Sequence, residues 1–427
     1  VTEHTTRRAA VVVVGSGFAG TAAALAANPT TNEVVLVAGS AGASTLWTGA
    51  VDAMPWEDAA GPHAGPAMSA EFAAALDALD AFVVRDRSAT LVTAAGLVRP
   101  ARGREAGLLD VQSAAPGPIA VVRAARPGWD ADSLARAWGD PFVAIDAELL
   151  RYTDEEVVPD AEFAARHDDE ARLDWLSARI REALARVGSR WAAVVLPPSL
   201  GVERERSGAL SSRVGAPCGE AVGMPGGPVG LRFEAARDRA IRAACVRVVA
   251  DRATRVDAVA RGWRVHLGSG GSVDAAAVVL AAGGLVGGGL EYAPSEFALA
   301  TALPPSARVP IRLTLVAPAT VGAYGAPLEL PSSLFGAAPE SIAPPFVAHS
   351  LLERAGILVE ADGAVTGDPG TRGVFAAGEI VADAPRTCLA ALASGCVAGA
   401  AAARYAVTAP PSGPPVRGRD EATASPP

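Results

Sequence analysis

The chain has 427 residues, half of them hydrophobic, and a formal charge of −9. That length is ample for more than one lobe, and the acidic balance argues against a nucleic-acid partner, which needs a basic surface. No lysine occurs, so all 37 basic residues are arginine, and Schiff-base or lysine general-base chemistry is excluded.

Residues 1–9 read as a loose arm. Ala10–Val14 is a continuous apolar run, the pattern of a strand buried on both faces of a parallel sheet. The loop Gly15-Ser16-Gly17-Phe18-Ala19-Gly20 follows, then a small-residue helix over Thr21–Ala27 and a second strand at Val34–Val37. This is a βαβ unit with a nucleotide-binding turn. Gly15 permits the tight turn, Gly17 lets backbone approach a phosphate, and Gly20 lets the helix pack close to the sheet. An acid that holds the adenosine ribose is expected about twenty residues on. Ala38 stands there instead. Either a neighbour replaces the acid, or the ribose is held weakly, or the cofactor lacks that ribose, as FMN does.

Next comes Ser44-x-x-x-Thr48-Gly49-Ala50-Val51-Asp52, small and hydroxyl-bearing residues suited to lie against a flat ring or a phosphate. Ser69–Val84 predicts a helix with Ser69 as N-cap. Ile119–Val122, Phe142–Ile145 and Ala192–Leu196 predict strands, and Asp168–Val187 a solvated amphipathic helix. Pro225–Pro228 breaks the chain before a helix at Leu231–Ala244. Cys245–Val249, Arg255–Val259 and Arg264–Leu267 predict a meander. Val278–Leu280 predicts a buried strand that ends in Ala281-Ala282-Gly283-Gly284. Residues 295–345 are proline-rich and show no clear period. Gly373–Ala377 predicts the last strand, delivering Gly378-Glu379, and Leu389–Tyr405 a small-residue helix whose N-terminus would face the cofactor. The tail Pro410–Pro427 has a disordered composition.

Cys218, Cys245, Cys388 and Cys396 form no CxxC pair. Neither a disulfide framework nor an iron–sulfur cluster is expected, and a reducing, cytoplasmic compartment is. No signal core is visible, and the longest apolar run, Ala275–Leu290, is broken by glycines. Membrane association would come through a partner. No HExxH, GxSxG or P-loop occurs, and no metal is expected.

Five motifs, at Gly15–Gly20, Ser44–Asp52, Val278–Gly284, Gly373–Glu379 and Leu389–Gly399, stand in the order seen in the fumarate reductase and succinate dehydrogenase flavoprotein superfamily, which they resemble. The fold implied is α/β: a Rossmann-like doubly wound flavin-binding domain with an inserted mixed α/β capping or substrate lobe. Its expected segments are 10–55, 229–292 and 366–406 for the flavin domain, 56–228 for the inserted substrate or partner lobe, 293–365 for a cap or connecting segment, and 407–427 for the tail. The cofactor implied is a flavin, FAD or FMN. The residues placed at it are Gly15, Ser16, Gly17, Phe18, Ala19, Gly20, Ala38, Ser44, Thr48, Gly49, Ala50, Gly283, Gly284, Gly378, Glu379 and Leu389.

Pro118–Asp130, Ala193–Gly201 and the run Pro217-Cys218-Gly219-Glu220 through Arg232 narrow the likeness. With the flavin motifs, they resemble the B-type flavin subunits of the anaerobic glycerol-3-phosphate dehydrogenase family. The resemblance implies oxidation of glycerol 3-phosphate to dihydroxyacetone phosphate with electrons passed to quinone. It also implies a second flavoprotein subunit, an iron–sulfur membrane-anchoring subunit, and a place on the cytoplasmic face of the membrane. The family's glycine-and-cysteine cluster before the terminal helix is replaced here by Pro385-Arg386-Thr387-Cys388-Leu389-Ala390-Ala391. That change leaves open a stand-alone oxidoreductase acting on another small acid, or a non-catalytic electron-relay or scaffold subunit.

Three residues are candidates to meet a phosphorylated or acidic substrate: Arg232, His349 and Arg386, the last of which could meet the flavin phosphate instead. A guanidinium suits a phosphate or carboxylate, and a histidine suits proton transfer. Glu220 reads as a structural partner of Arg232 or as a proton acceptor. His167 and His266 read as structural, and His4 and His63 carry no role.

Overall fold

The computed structural model describes residues 6–39, 42–51, 70–80, 89–188, 190–292, 308–323, 326–327, 329–331, 353–367 and 369–409. His349, Ser69, Asp52 and the tail lie outside them.

In chain order the elements used below are β1 (Thr6–Val14), α1 (Phe18–Thr31) and β2 (Val34–Val37). The helix α2 (Ala70–Leu79) follows. The inserted lobe supplies β3 (Ile119–Arg123), α3 (Ala131–Trp138), β4 (Phe142–Asp146), α4 (Glu170–Val187), β5 (Ala193–Leu196), α5 (Ser207–Val214) and β6 (Cys218–Glu220). The chain returns through α6 (Pro228–Ala243), β7 (Arg247–Val249), β8 (Ala253–Val259), β9 (Gly262–Leu267) and β10 (Ser272–Leu280). It closes with β11 (Val374–Ala376) and α7 (Cys388–Thr408).

The central sheet runs β7-β2-β1-β10, with β11 on the far side of β10, and these five strands are parallel. Its middle is buried on both faces, which is why β1 needs no polar alternation. Val11 and Val13 enter one core, with α1, α2, α6 and α7. Val12 and Val14 enter the other, with β8, β9 and Ile311, Leu315, Ala355 and Ile357. The helices thus cover one face; strands and irregular chain cover the second. The first half of β10 pairs antiparallel with β9, and its second half pairs parallel with β11.

Helices α1 and α7 pack at very close range. A Cβ on Gly395 would overlap the Ala19 carbonyl, and one on Gly399 the Ala23 carbonyl. The alanines and glycines of both helices therefore set backbone against backbone. By length and apolar composition α7 could cross a membrane, but 67% of its most apolar window is buried within the fold. The core claims this helix.

The inserted lobe holds a second parallel sheet, in the order β6-β5-β3-β4. Helix α3 is capped by Asp130, whose side chain accepts from the amides of Asp132 and Ser133. Asp169 caps α4 in the same way through Arg172 N–H.

Two expectations need correction. The arm is not loose from residue 6 on: β1 starts at Thr6, paired to Ser272. The segment Arg247–Val249 is not in the meander; it lies parallel to β2 at the other edge, and β8, β9 and β10 form the meander. In the segment 293–365, the described Ile311, Leu315, Ile357 and Val365 fill the second core beneath β1 and β2. Ala50–Val51, before the expected boundary at residue 56, pairs with Gly103–Arg104.

Candidate functional site

From β1 the chain moves through α1 to β2 on one side. It resumes on the other side of β1 with β10. Such a reversal leaves a crevice beyond the carboxyl ends of the strands, where α/β proteins bind ligands. A cleft of about 700 Å³ lies there, within the range of cofactor sites. Its walls come from Gly15–Ala19, Gly39, Ser44, Leu46 and Trp47, Arg252, Ala281–Gly283, Ala377–Glu379, and Arg386, Thr387, Cys388 and Ala391.

The glycine loop is shaped by its neighbours. Gly15 has φ +103° and donates its N–H to Val37 O at 2.9 Å. A side chain there would collide with the Ala281 carbonyl. At Gly17 a Cβ would come within 2.8 Å of Ser44 Oγ, closing the approach to the helix start. Phe18 N–H donates to Ser44 Oγ at 3.0 Å, so Ser44 stands at the N-terminus of α1, and its hydroxyl can also donate. The first turn of α1 carries no acidic residue. These features fit a phosphate or pyrophosphate: backbone amides, a hydroxyl, and no competing carboxylate.

Across β1 the start of α7 completes the wall. Thr387 caps it, accepting from Ala390 N–H at 3.2 Å, and no acidic residue occupies its first turn. Gly378 N–H donates to Ser394 Oγ at 3.0 Å, tying the loop after β11 to α7. Arg386 donates from Nε to Glu353 O at 2.8 Å and from Nη2 to Ala355 O at 2.7 Å. Its Nη1 is buried with no hydrogen-bond partner among the described residues. Burial pulls the guanidinium below its usual range, against the opposing carboxylates of Glu379, Asp383 and Glu353. An arginine remains charged throughout.

Of the expected cofactor residues, the cleft brings together Gly15, Ser16, Gly17, Phe18, Ala19, Ser44, Gly283, Gly378 and Glu379. Gly20 instead supports the loop from behind, where a Cβ would overlap the Gly15 carbonyl. Gly284 packs on Glu379, and Leu389 is buried in the alanine core. Ala38 is not among the residues that line the cleft, and its N–H donates to Val249 O at 2.9 Å.

Thr48, Gly49 and Ala50 are not cleft residues. Gly49 O accepts from Glu105 N–H, and Ala50 pairs with Arg104, so this segment is a seam to the inserted lobe. Arg232 is also corrected as a substrate ligand. It is 3% exposed and bonded to Glu105 at 2.9 Å, to Glu220 at 2.6 Å and to the Leu200 and Gly201 carbonyls. No donor is left for a substrate. Glu220 is its structural partner, as expected. His349 lies outside the described residues.

Arg252, Thr387, Cys388, Thr314 and Leu315 line the cleft without a motif to announce them. Placing β7 beside β2 would have found Arg252, because the turn after β7 must then lie beyond β2. Among the described residues, no cluster of three or more metal-ligating side chains occurs.

A family model described as FAD-NAD(P)-binding matches residues 230–285, the stretch from α6 through β10 to the cleft wall. With the glycine loop at the strand ends, this match supports an FAD/NAD(P)-binding domain within the chain and a flavin as its cofactor. No curated protein sequence matches the chain. Among solved structures it is similar to a flavocytochrome c3 fumarate reductase in its open conformation, at 12% identity over 94% of this chain and 79% of that one, with a TM-score of 0.37. It is similar to the E. coli quinol fumarate reductase FrdA at 13% identity over 96% and 72%, with a TM-score of 0.35. Similarity to the 3-ketosteroid delta1-dehydrogenase of Sterolibacterium denitrificans is 12% over 93% and 100%, with a TM-score of 0.38. Likeness at this level says nothing of substrate.

Proposed function

We propose that the chain is a flavin-dependent oxidoreductase subunit acting on a small anionic substrate, with Arg386 as the ligand of the substrate's anion. One observation carries this reading. Two backbone carbonyls hold the Arg386 guanidinium at the cleft wall, and its buried Nη1 has no partner among the described residues. A buried donor left unmade costs free energy that a carboxylate or phosphate oxygen would recover.

When bound, the flavin supplies hydride acceptance from a substrate carbon. The chain's own residues hold and shield. The glycine loop and Ser44 anchor phosphate, the N-terminus of α7 favours negative charge beside it, and Ala281, Leu315 and Ala391 exclude water from the walls. His349 is the candidate acceptor of the substrate's hydroxyl proton.

In its finer form the substrate is glycerol 3-phosphate. The chain then works with a second flavoprotein subunit and an iron–sulfur anchoring subunit on the cytoplasmic face of the membrane. The likeness of the Pro217–Arg232 segment to the B-type flavin subunits of such dehydrogenases supports this form.

The test is anaerobic addition of glycerol 3-phosphate, and separately of small 2-hydroxy acids, to the purified flavin-loaded protein. Bleaching of the visible flavin band is expected, and Arg386→Gln should keep the flavin and lose the bleaching. A band unchanged by every one of these substrates contradicts the reading.

A further inference from the structure

The acid missing after β2 has a counterpart on the neighbouring strand. Arg252 lies in the turn that follows β7, the parallel neighbour of β2, and lines the cleft. Its side chain is exposed and makes no hydrogen bond or ion pair among the described residues. The turn itself is fixed. Asp251 accepts from Arg252 N–H at 2.7 Å and from Ser269 Oγ at 2.5 Å, and Arg252 O accepts from Gly268 N–H at 2.8 Å. The exit of β2 is pressed against this turn, because a Cβ on Gly39 would come within 2.7 Å of Arg252 Cα. Asp251 is thus committed to the turn, and Arg252 is presented to the cleft on a rigid base.

In a dinucleotide fold the adenosine ribose lies beyond the end of the second strand. Arg252 lies against the exit of β2 at Gly39, on the side where that ribose is held. Val37, Gly39 and Arg252 line the same cleft as the phosphate-binding loop.

We infer that Arg252 recognises the adenosine half of a bound FAD in place of the usual acid. The guanidinium donates to ribose hydroxyl oxygens or ring nitrogens, which accept, and its flat face can lie on the adenine. The inference rests on the flavin reading above and adds what holds the cofactor's far end.

The experiment strips the flavin from the full chain and titrates it with FAD, FMN and ADP, for wild type and Arg252→Ala. Because Arg252 is exposed, folding is not at stake. Wild type should bind FAD at least about tenfold tighter than FMN, a difference of roughly 1.4 kcal/mol, and should bind ADP. Arg252→Ala should lose most of that preference and the ADP binding, with FMN affinity unchanged. Equal wild-type affinity for FAD and FMN, or an unchanged FAD affinity in the variant, overturns the inference while leaving the flavin reading intact. Binding of neither flavin overturns both.

Discussion

The guanidinium of Arg232, at the start of α6, lies 2.6 Å from the carboxylate of Glu220, at the end of β6. The pair joins the flavin domain to the inserted lobe, and Glu105 closes it at 2.9 Å from the other side. Burial raises the Glu105 carboxyl above its usual range, with Arg232 opposing that rise. Glu220 also accepts from the amides of Ser199 and Leu200. Removing one member of a buried ion cluster strands the others. Arg232→Ala should therefore lower stability by about 3–5 kcal/mol in denaturant titration. Folded variant protein should still bind flavin, because Arg232 does not line the cleft.

The contact of α1 with α7 leaves no room for side chains at Gly395 and Gly399. Gly399→Val should destabilise by about 1–3 kcal/mol or more, since it must push two helix backbones apart. A control at exposed Arg404 on the same helix should be near neutral. Thermal melting of the two variants side by side reads the difference.

His167 is fully buried, and burial, then Arg172, brings its pKa down to about 4. Its unfolded value is near 6.5, so the folded state holds it neutral. The sign follows: this stability is complete above about pH 6.5 and is lost as pH falls from there toward 4, at up to about 1.4 kcal/mol per pH unit for one proton. Denaturation midpoints across that window should fall for wild type. His167→Gln, less stable at neutral pH, should show a flatter profile there.

The thiols should sort by environment. Burial pushes Cys218 up to about 12, whereas Cys245 is exposed. A native-state maleimide reaction should modify Cys245 and spare Cys218 and the buried Cys396, as read by mass spectrometry of peptides.

The parts legible in the sequence are those whose signal is local. Four consecutive valines declare a strand buried on both faces, and Gly15-x-Gly17-x-x-Gly20 directly after them declares the turn. What stayed hidden depends on distant partners. Arg232 looks like a free cation until Glu105, 127 residues away in the chain, is brought to it. Three residues of Arg247–Val249 carry no mark of which sheet edge they join, and Arg252 inherits that ambiguity. Thr48-Gly49-Ala50 has a composition fit for a ring, yet a backbone pairing with Gly103–Arg104 claims it.

Everything proposed for the cleft depends on the loop from Gly15 to Gly20, with Ser44 above it, holding the phosphate of a flavin. Flavin stoichiometry by visible absorption, for wild type and Gly17→Leu with folding checked by circular dichroism, measures this. Wild type should bind one flavin per chain, and the folded variant none, because its side chain would fill the space between the loop and Ser44. A colourless wild type that takes up no added flavin, or a Gly17→Leu protein that binds it as wild type does, would contradict that role for the loop.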